Sequence, residues 1–339
     1  MIPPINTDCQ QMALARQARL TKPAGALGRL EALSVRLAGM TERLDWLPIR
    51  RAVVVCAADH GVVAQGVSAY PQSVTAQMVL NFLNGGAAIN VLARQMGTRV
   101  TVVDAGVATT FDSHPDLIIG KIGHGTADFS VGPAMSPEQA QQAIQLGRDV
   151  AIREIEHGLD ILAVGEMGIG NTTAASAIIA AITGQPADKV AGRGTGINDE
   201  QFTHKVSVIQ RALDVNPLAG QDTLAKVGGF EIGAMAGLML RAAAERIPVV
   251  IDGLISTSAA LIAAQIEPRV TEYLIAGHRS VEPGHRIALE WLGLTPLLDL
   301  ELRLGEGTGA VLALPIIEAA MRTLNEIATF EAAGVSGSA

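Results

Sequence analysis

Aromatic residues make up only 3% of the 339-residue chain. The scarcity excludes a core built on ring stacking. Charged residues are also few, at 17% against roughly 25% in ordinary soluble domains. Cys9 and Cys56 are the only cysteines, too few for a disulfide framework or a cysteine-rich zinc site. The seven histidines are scattered, without His-Glu-x-x-His spacing, so no metal is expected. No apolar run reaches the roughly 18 residues that a membrane span requires. The formal net charge of −8 argues against nucleic acid and acidic membranes, which select basic faces. Neither a G-x-x-x-x-G-K-[ST] loop nor a Gly-x-Ser-x-Gly elbow occurs, which excludes Walker-type nucleotide binding and an α/β-hydrolase nucleophile. The first residues lack a basic segment followed by an apolar one, so the expected compartment is the cytoplasm.

What remains is a chain that is 49% apolar and contains 36 glycines. Its centre is the stretch 159–173. The first half is apolar and β-prone. Gly165, Gly168 and Gly170 follow, then Asn171-Thr172-Thr173, which reads as helix-capping chemistry, and 174–183 reads as a helix. A strand, a glycine turn and a helix start aim backbone N–H groups and the positive end of the helix dipole at an anion. The same arrangement also serves plain helix–strand packing.

Around this stretch, short β-prone runs alternate with helical periodicity. Runs at 52–58, 100–103, 161–164, 248–251 and 273–276 read as buried strands. Helices are expected at 74–96, 137–157, 200–213, 229–244 and 256–265. The alternation predicts an α/β fold, a parallel sheet with helices on both faces. Residues 8–20, 27–44 and 310–330 also read as helical, the last broken at Pro315. The predicted organisation is a small helical domain from residues 1–48 and 310–339, and a large α/β domain from residues 49–309. Strand after strand ends in an acid or a glycine: Asp59, Asp104, Gly165-Glu166, Asp252 and Gly277. Singly these are turn chemistry. Together they predict a ligand site on the carboxyl rim of the sheet.

Two further glycine clusters carry chemistry. Gly192-Arg-Gly-Thr-Gly196, followed by Lys205 on a predicted helix, makes a workable phosphate clamp or a solvated loop. In Leu304-Gly-Glu-Gly-Thr-Gly309, Glu306 can be buried against a ligand, which would raise its pKa toward that of a general base. Otherwise it is a helix-start carboxylate stabilised by the dipole. His60 and His278 end strands and could touch a ligand. Asp188, 18 residues after Gly170, sits where a dinucleotide-binding acid would fall, but Gly184-Gln-Pro-Ala precedes it in place of a strand.

The loops Gly165-Glu-Met-Gly-Ile-Gly-Asn-Thr-Thr173, Gly192-Arg-Gly-Thr-Gly196 and Arg303-Leu-Gly-Glu-Gly-Thr-Gly309, in that order, resemble the nicotinate-nucleotide–dimethylbenzimidazole phosphoribosyltransferase family. Further matches are Leu20-Thr-Lys-Pro-Ala-Gly25, Ala58-Asp-His-Gly-Val62, Gly66-Val-Ser-Ala-Tyr-Pro71, Val74-Thr-Ala-Gln-Met78, Gly228-Gly-Phe-Glu-Ile232 and Ser280-Val-Glu-Pro-Gly-His285. The resemblance covers residues 20–320. It implies a Rossmann-like sheet, a small helical domain from both termini, a homodimer and no cofactor.

It also implies a reaction: nicotinate mononucleotide and 5,6-dimethylbenzimidazole give α-ribazole 5′-phosphate and nicotinate. By the same resemblance Glu306 is the base, Glu166 supports the reacting ribose, and Lys205 lies near the phosphate. Gly168, Ile169, Gly170, Asn171 and Thr172, with Gly194, Thr195 and Gly196, would hold the phosphoribosyl part. Asp252 and Ser280 would line the nucleotide site. Gln77, Leu304 and Met167 would line the base pocket, with Tyr70 as a further candidate. The family pattern is departed from at Ala26, His204 and Gly277, none of which alters the proposed base. A nicotinamide-dinucleotide oxidoreductase, a non-catalytic nucleotide binder and a transferase for another acceptor, such as adenine or a phenol, are the competing expectations.

Overall fold

The computed structural model describes residues 1–194, 196–217 and 222–336. Six strands form one sheet: β1 (Arg51–Ala58), β2 (Thr98–Gly106), β3 (Leu117–Ile119), β4 (Ile161–Met167), β5 (Val249–Ile251) and β6 (Leu274–Ala276). Their spatial order is β3-β2-β1-β4-β5-β6, and every pairing is parallel. This is the Rossmann order. The central β1 is buried along almost its whole length, which is why it reads as an unbroken Val-Val-Val-Cys-Ala-Ala run. The strand order reverses between β1 and β4, both of which start from the middle of the sheet. Ligands of such sheets bind beyond the carboxyl ends at that reversal.

The strands stand where the apolar runs placed them, with one addition. Edge strand β3 follows β2 with no helix between them, so the strand–helix alternation does not announce it. The expected helix over 74–96 is two helices, Ser73–Leu83 and Ala88–Gln95. Gly85, at φ +73°, turns the chain between them. The Asn90 side chain then accepts the Ala87 N–H at 3.1 Å and starts the second helix.

Two other expectations are corrected. The helix Thr308–Glu326 runs straight through Pro315. Its inner face, with Val311, Leu314 and Ile317 fully buried, supplies packing that outweighs the one backbone bond a proline removes. Asn171 does not cap a helix that begins later. The helix Asn171–Thr183 starts at Asn171 itself, with Gly170 as its cap at φ +94°, and the Asn171 amide points back to Glu166.

The terminal helices Thr7–Gln17 and Arg29–Thr41 pack on each other and against Thr308–Glu326. Arg16 donates to the carbonyls of Leu324 and Asn325 at 2.6 and 2.7 Å. The helix Thr308–Glu326 also lies on β4 and β5, so one helix begins at the rim of the sheet and ends among the terminal helices.

The tightest crossing joins the helices Pro137–Glu156 and Phe230–Ala244. A Cβ at Gly147 would lie 1.8 Å from the Ala234 carbonyl oxygen, and one at Gly237 would lie 2.0 Å from that of Ile144. Backbone cannot yield as a side-chain tip can. Replacing Gly147 by Ala should therefore cost about 3 kcal/mol, whereas Gly132→Ala, which meets no atom within 4 Å, should lie within roughly 0.5 kcal/mol of the parent. Denaturant unfolding of both variants measures the difference; equal midpoints would contradict the crossing.

Candidate active site

The carboxyl ends of β4, β5 and β6 border a cavity of about 520 Å³. Its acidic wall is built by two loops that touch. Glu166 is the penultimate residue of β4 and is buried. Glu306 lies in the turn before helix Thr308–Glu326, at φ +64°, between Gly305 at +91° and Gly307 at +86°. Three consecutive left-handed residues form a strained turn, and for a glutamate that conformation is costly. The turn is held against β4. A Cβ on Gly165 would meet the Glu306 carbonyl oxygen at 2.3 Å, and one on Gly305 would meet the Glu166 carboxylate at 2.3 Å. These glycines bring the two carboxylates onto one wall.

Asp252, just past β5, holds the turn in place. Its Oδ2 accepts the N–H of Gly307 at 3.1 Å, and its Oδ1 accepts those of Gly309 and Ala310 at 2.7 and 3.1 Å. One carboxylate thereby caps the start of helix Thr308–Glu326 from another strand. His278 Nε2 lies 3.3 Å from the same Oδ1. His285 stacks on His278, its Nε2 donates to the His278 carbonyl at 3.1 Å, and its Nδ1 lies 3.1 Å from the Thr257 hydroxyl. Burial lowers His285 to about 4, so it is neutral and adds no charge to the relay.

The protonation states follow from burial and like charge. Burial raises Glu306, while the Ile89 N–H that its Oε2 accepts at 3.2 Å works the other way. Ile89 opens the helix Ala88–Gln95, so the break after Leu83 is what aims this donor. Glu166 is pushed up to about 8, first by burial, then by Glu231 and Asp252, against the hydrogen bond from Asn171. At neutral pH Glu166 is mostly protonated.

The opposite end of the cavity is a glycine backbone. Gly168, Ile169, Asn171 and Thr172 line it, with Gly194 and Ser280 across from them. The Ile169 N–H is held by the Thr75 hydroxyl at 3.0 Å. Gly170 sits just behind the lining, over Val63 and His60. Lys205 is 1% exposed and stands one layer back, donating to the Thr172 hydroxyl at 2.8 Å and the Gly192 carbonyl at 3.2 Å. Burial lowers its pKa to about 8. Arg303, at the mouth, donates to the Gly194 carbonyl at 3.2 Å. The apolar side is made by Tyr70, Val74, Met78, Met167 and Leu304.

The structure thus gathers Glu166, Met167, Gly168, Ile169, Asn171, Thr172, Gly194, Ser280, Leu304 and Glu306 around one cavity, and Tyr70 with them. Asp252 and Lys205 stand behind it and act through the loops. Thr195 lies outside the described residues, and Gly196 follows it at φ +103° without lining the cavity. Gln77 is exposed and outside the lining; on helix Ser73–Leu83, the positions facing the cavity are Val74 and Met78, one turn apart. That i, i+4 pair was the signal available in the sequence. Glu282, Arg303 and His278 also line the cavity. His60 does not: it is fully buried against Glu231, with Nε2 2.7 Å from the carboxylate. Asp188 is exposed on the short helix Ala187–Val190, away from the glycine turn.

Comparison with known proteins agrees with this arrangement. A family model described as phosphoribosyltransferase matches residues 2–335. Nicotinate-nucleotide–dimethylbenzimidazole phosphoribosyltransferase of Chloroflexus aggregans is 59% identical over 338 residues, 99% of this chain and 96% of that protein. The enzyme of the same name from a Roseiflexus species is 60% identical over 339 residues, again 99% and 96% of the two chains. The solved structure of this phosphoribosyltransferase from Thermus thermophilus superposes with a TM-score of 0.94 at 49% identity, covering 98% of this chain and 100% of that one. With the match running from residue 2 to residue 335 and through every loop of the cavity, the chain belongs to the nicotinate-nucleotide–dimethylbenzimidazole phosphoribosyltransferase family.

Proposed function

We propose that this enzyme transfers the phosphoribosyl group of nicotinate mononucleotide to 5,6-dimethylbenzimidazole, as the assembly of a cobalamin lower nucleotide requires. The observation that carries the reading is the pairing of Glu306 and Glu166 on one wall of a cavity whose other end is a glycine turn at a helix N-terminus. The chemistry asks for little more. The nicotinate nitrogen is already cationic in the nucleotide, so it leaves with the C1′–N bond pair and needs no acid. One benzimidazole nitrogen attacks C1′ from the opposite face, which turns a β-nucleotide into an α-riboside. The N–H proton on the other nitrogen must go to a base, and Glu306 takes it.

Glu166 faces the sugar, where an anion stabilises positive charge developing at C1′. The phosphate sits toward Gly168–Thr172 and Gly194, with Lys205 behind. The flat acceptor lies in the slot of Tyr70, Val74, Met78, Met167 and Leu304. The reading of residues 1–48 and 310–339 as a small helical domain from both chain ends is supported by the Arg16 contacts to Leu324 and Asn325; residues 337–339 lie outside the described residues. The working form is a homodimer, a reading supported by the family resemblance. No described helix is long and apolar enough to cross a membrane.

Incubating the protein with nicotinate mononucleotide and 5,6-dimethylbenzimidazole, and resolving nicotinate and riboside phosphate by chromatography, tests the reaction. Glu306→Gln should lower kcat by about 10²-fold or more. Undiminished turnover would remove Glu306 from its role. Product with adenine or a phenol but not with the benzimidazole would move the assignment to another acceptor.

The pH dependence has a defined sign. Burial raises Glu306, so it stays protonated to higher pH than an ordinary carboxylate. Activity should rise with pH along a limb above the usual carboxylate range, and Glu306→Gln should abolish that limb.

Glu166 adds a second signature. With its pKa at about 8, it is protonated at pH 7, and the pyridinium of the arriving nucleotide favours its anion. Binding should therefore release a proton at pH 7, seen as buffer-dependent calorimetric enthalpy. Glu166→Gln should lose that release; an unchanged release would place the titrating group elsewhere.

A further inference from the structure

We propose that Glu282 is a positioning residue for the phosphate end of the cavity, pinning the backbone of Gly192 to Gly194 and serving as counter-ion to Lys205. The inference rests on the phosphoribosyl reading of the site.

Glu282 caps the helix Pro283–Leu292 and is buried. Its Oε1 accepts the Gly194 N–H at 3.0 Å. Its Oε2 is buried and has no hydrogen-bond partner among the described residues. That oxygen lies against Gly192, where a Cβ would come within 1.5 Å of it, so only glycine lets the carboxylate seat. From the other side Lys205 Nζ grips the Gly192 carbonyl at 3.2 Å, and Arg303 grips the Gly194 carbonyl at 3.2 Å. Three charged side chains thus hold the same short backbone.

A buried ammonium needs an opposite charge nearby. Burial lowers Lys205, and Glu282 is the charge that works against that lowering. Other charged groups on the surrounding elements are engaged elsewhere. Arg193 pairs with Asp199, Lys189 lies beside Asp188 at the surface, and Arg211 bonds to Gln65 and Ser130. Glu166 is engaged by Asn171. Glu282 borders the cavity, but its Oε1 is taken by the Gly194 N–H and its Oε2 lies against Gly192, so it acts on the phosphate through the loop and through Lys205.

Glu282→Gln keeps an acceptor for the Gly194 N–H and removes only the charge. The KM for nicotinate mononucleotide should rise about tenfold, the loss of roughly one charge-assisted contact, with kcat within about threefold. The alkaline limb of kcat/KM should move to lower pH by about one unit, since Lys205 would lose its counter-ion. Product inhibition by nicotinate, which has no phosphate, should be unchanged. Gly192→Ala, which displaces the carboxylate sterically, should reproduce the KM effect.

A wild-type KM and alkaline limb in Glu282→Gln would overturn the proposal. So would a parallel loss of nicotinate inhibition, which marks general disruption of the site. Absence of riboside formation by the parent enzyme would instead sink the reaction itself, so the two failures are distinguishable.

Discussion

The arrangement depends on the grip of Asp252 on the backbone of Gly307, Gly309 and Ala310. Glu306 occupies a left-handed conformation that is sparsely populated by residues other than glycine. The three N–H groups that Asp252 accepts are those left without intrahelical partners at the start of Thr308–Glu326. Satisfying them ties the end of β5 to the start of the helix. The strained turn between them has nowhere to relax. His278 and His285 complete the support, and His285 remains uncharged because burial excludes its proton.

Charge is distributed unequally across the cavity. Glu166, Glu306 and Asp252 crowd one wall, and burial with mutual repulsion raises the first two toward neutrality. A substrate that arrives with a pyridinium cation and passes through a positively charged sugar is what such a wall favours. The anionic phosphate needs the part of the cavity lined by Asn171 and Thr172 at a helix N-terminus, with Lys205 behind it. With a net charge of −8, the overall field does not recruit that phosphate. Local donors must do so.

Much of this was legible in the chain. Buried parallel strands are runs of Val, Ile, Leu and Ala, and five of six stood out. The sixth, Leu117–Ile119, follows β2 without an intervening helix, so the alternation of strands and helices does not reveal it. Tertiary packing overrode local preference at Pro315, and Gly85 divided a helix that its apolar spacing had joined. The site was readable as three glycine loops because each glycine is required by a contact: Gly165 by the Glu306 carbonyl, Gly305 by Glu166, Gly192 by Glu282. The partners in those contacts are 90 to 141 residues away, and no local pattern reports them. For that reason nothing local marks Glu282 or sets Asp252 behind the cavity, whereas the i, i+4 spacing of Val74 and Met78 does mark the face of their helix that lines it.

The most direct test is the turnover of Asp252→Asn beside its affinity for nicotinate mononucleotide. The substitution keeps the shape and removes the charge that holds three backbone donors. If the grip of Asp252 sets the position of Glu306, kcat should fall on the order of 10²-fold while the calorimetric Kd for the nucleotide stays within about threefold. Retention of kcat would show that the turn holds its conformation without Asp252 and would contradict the account.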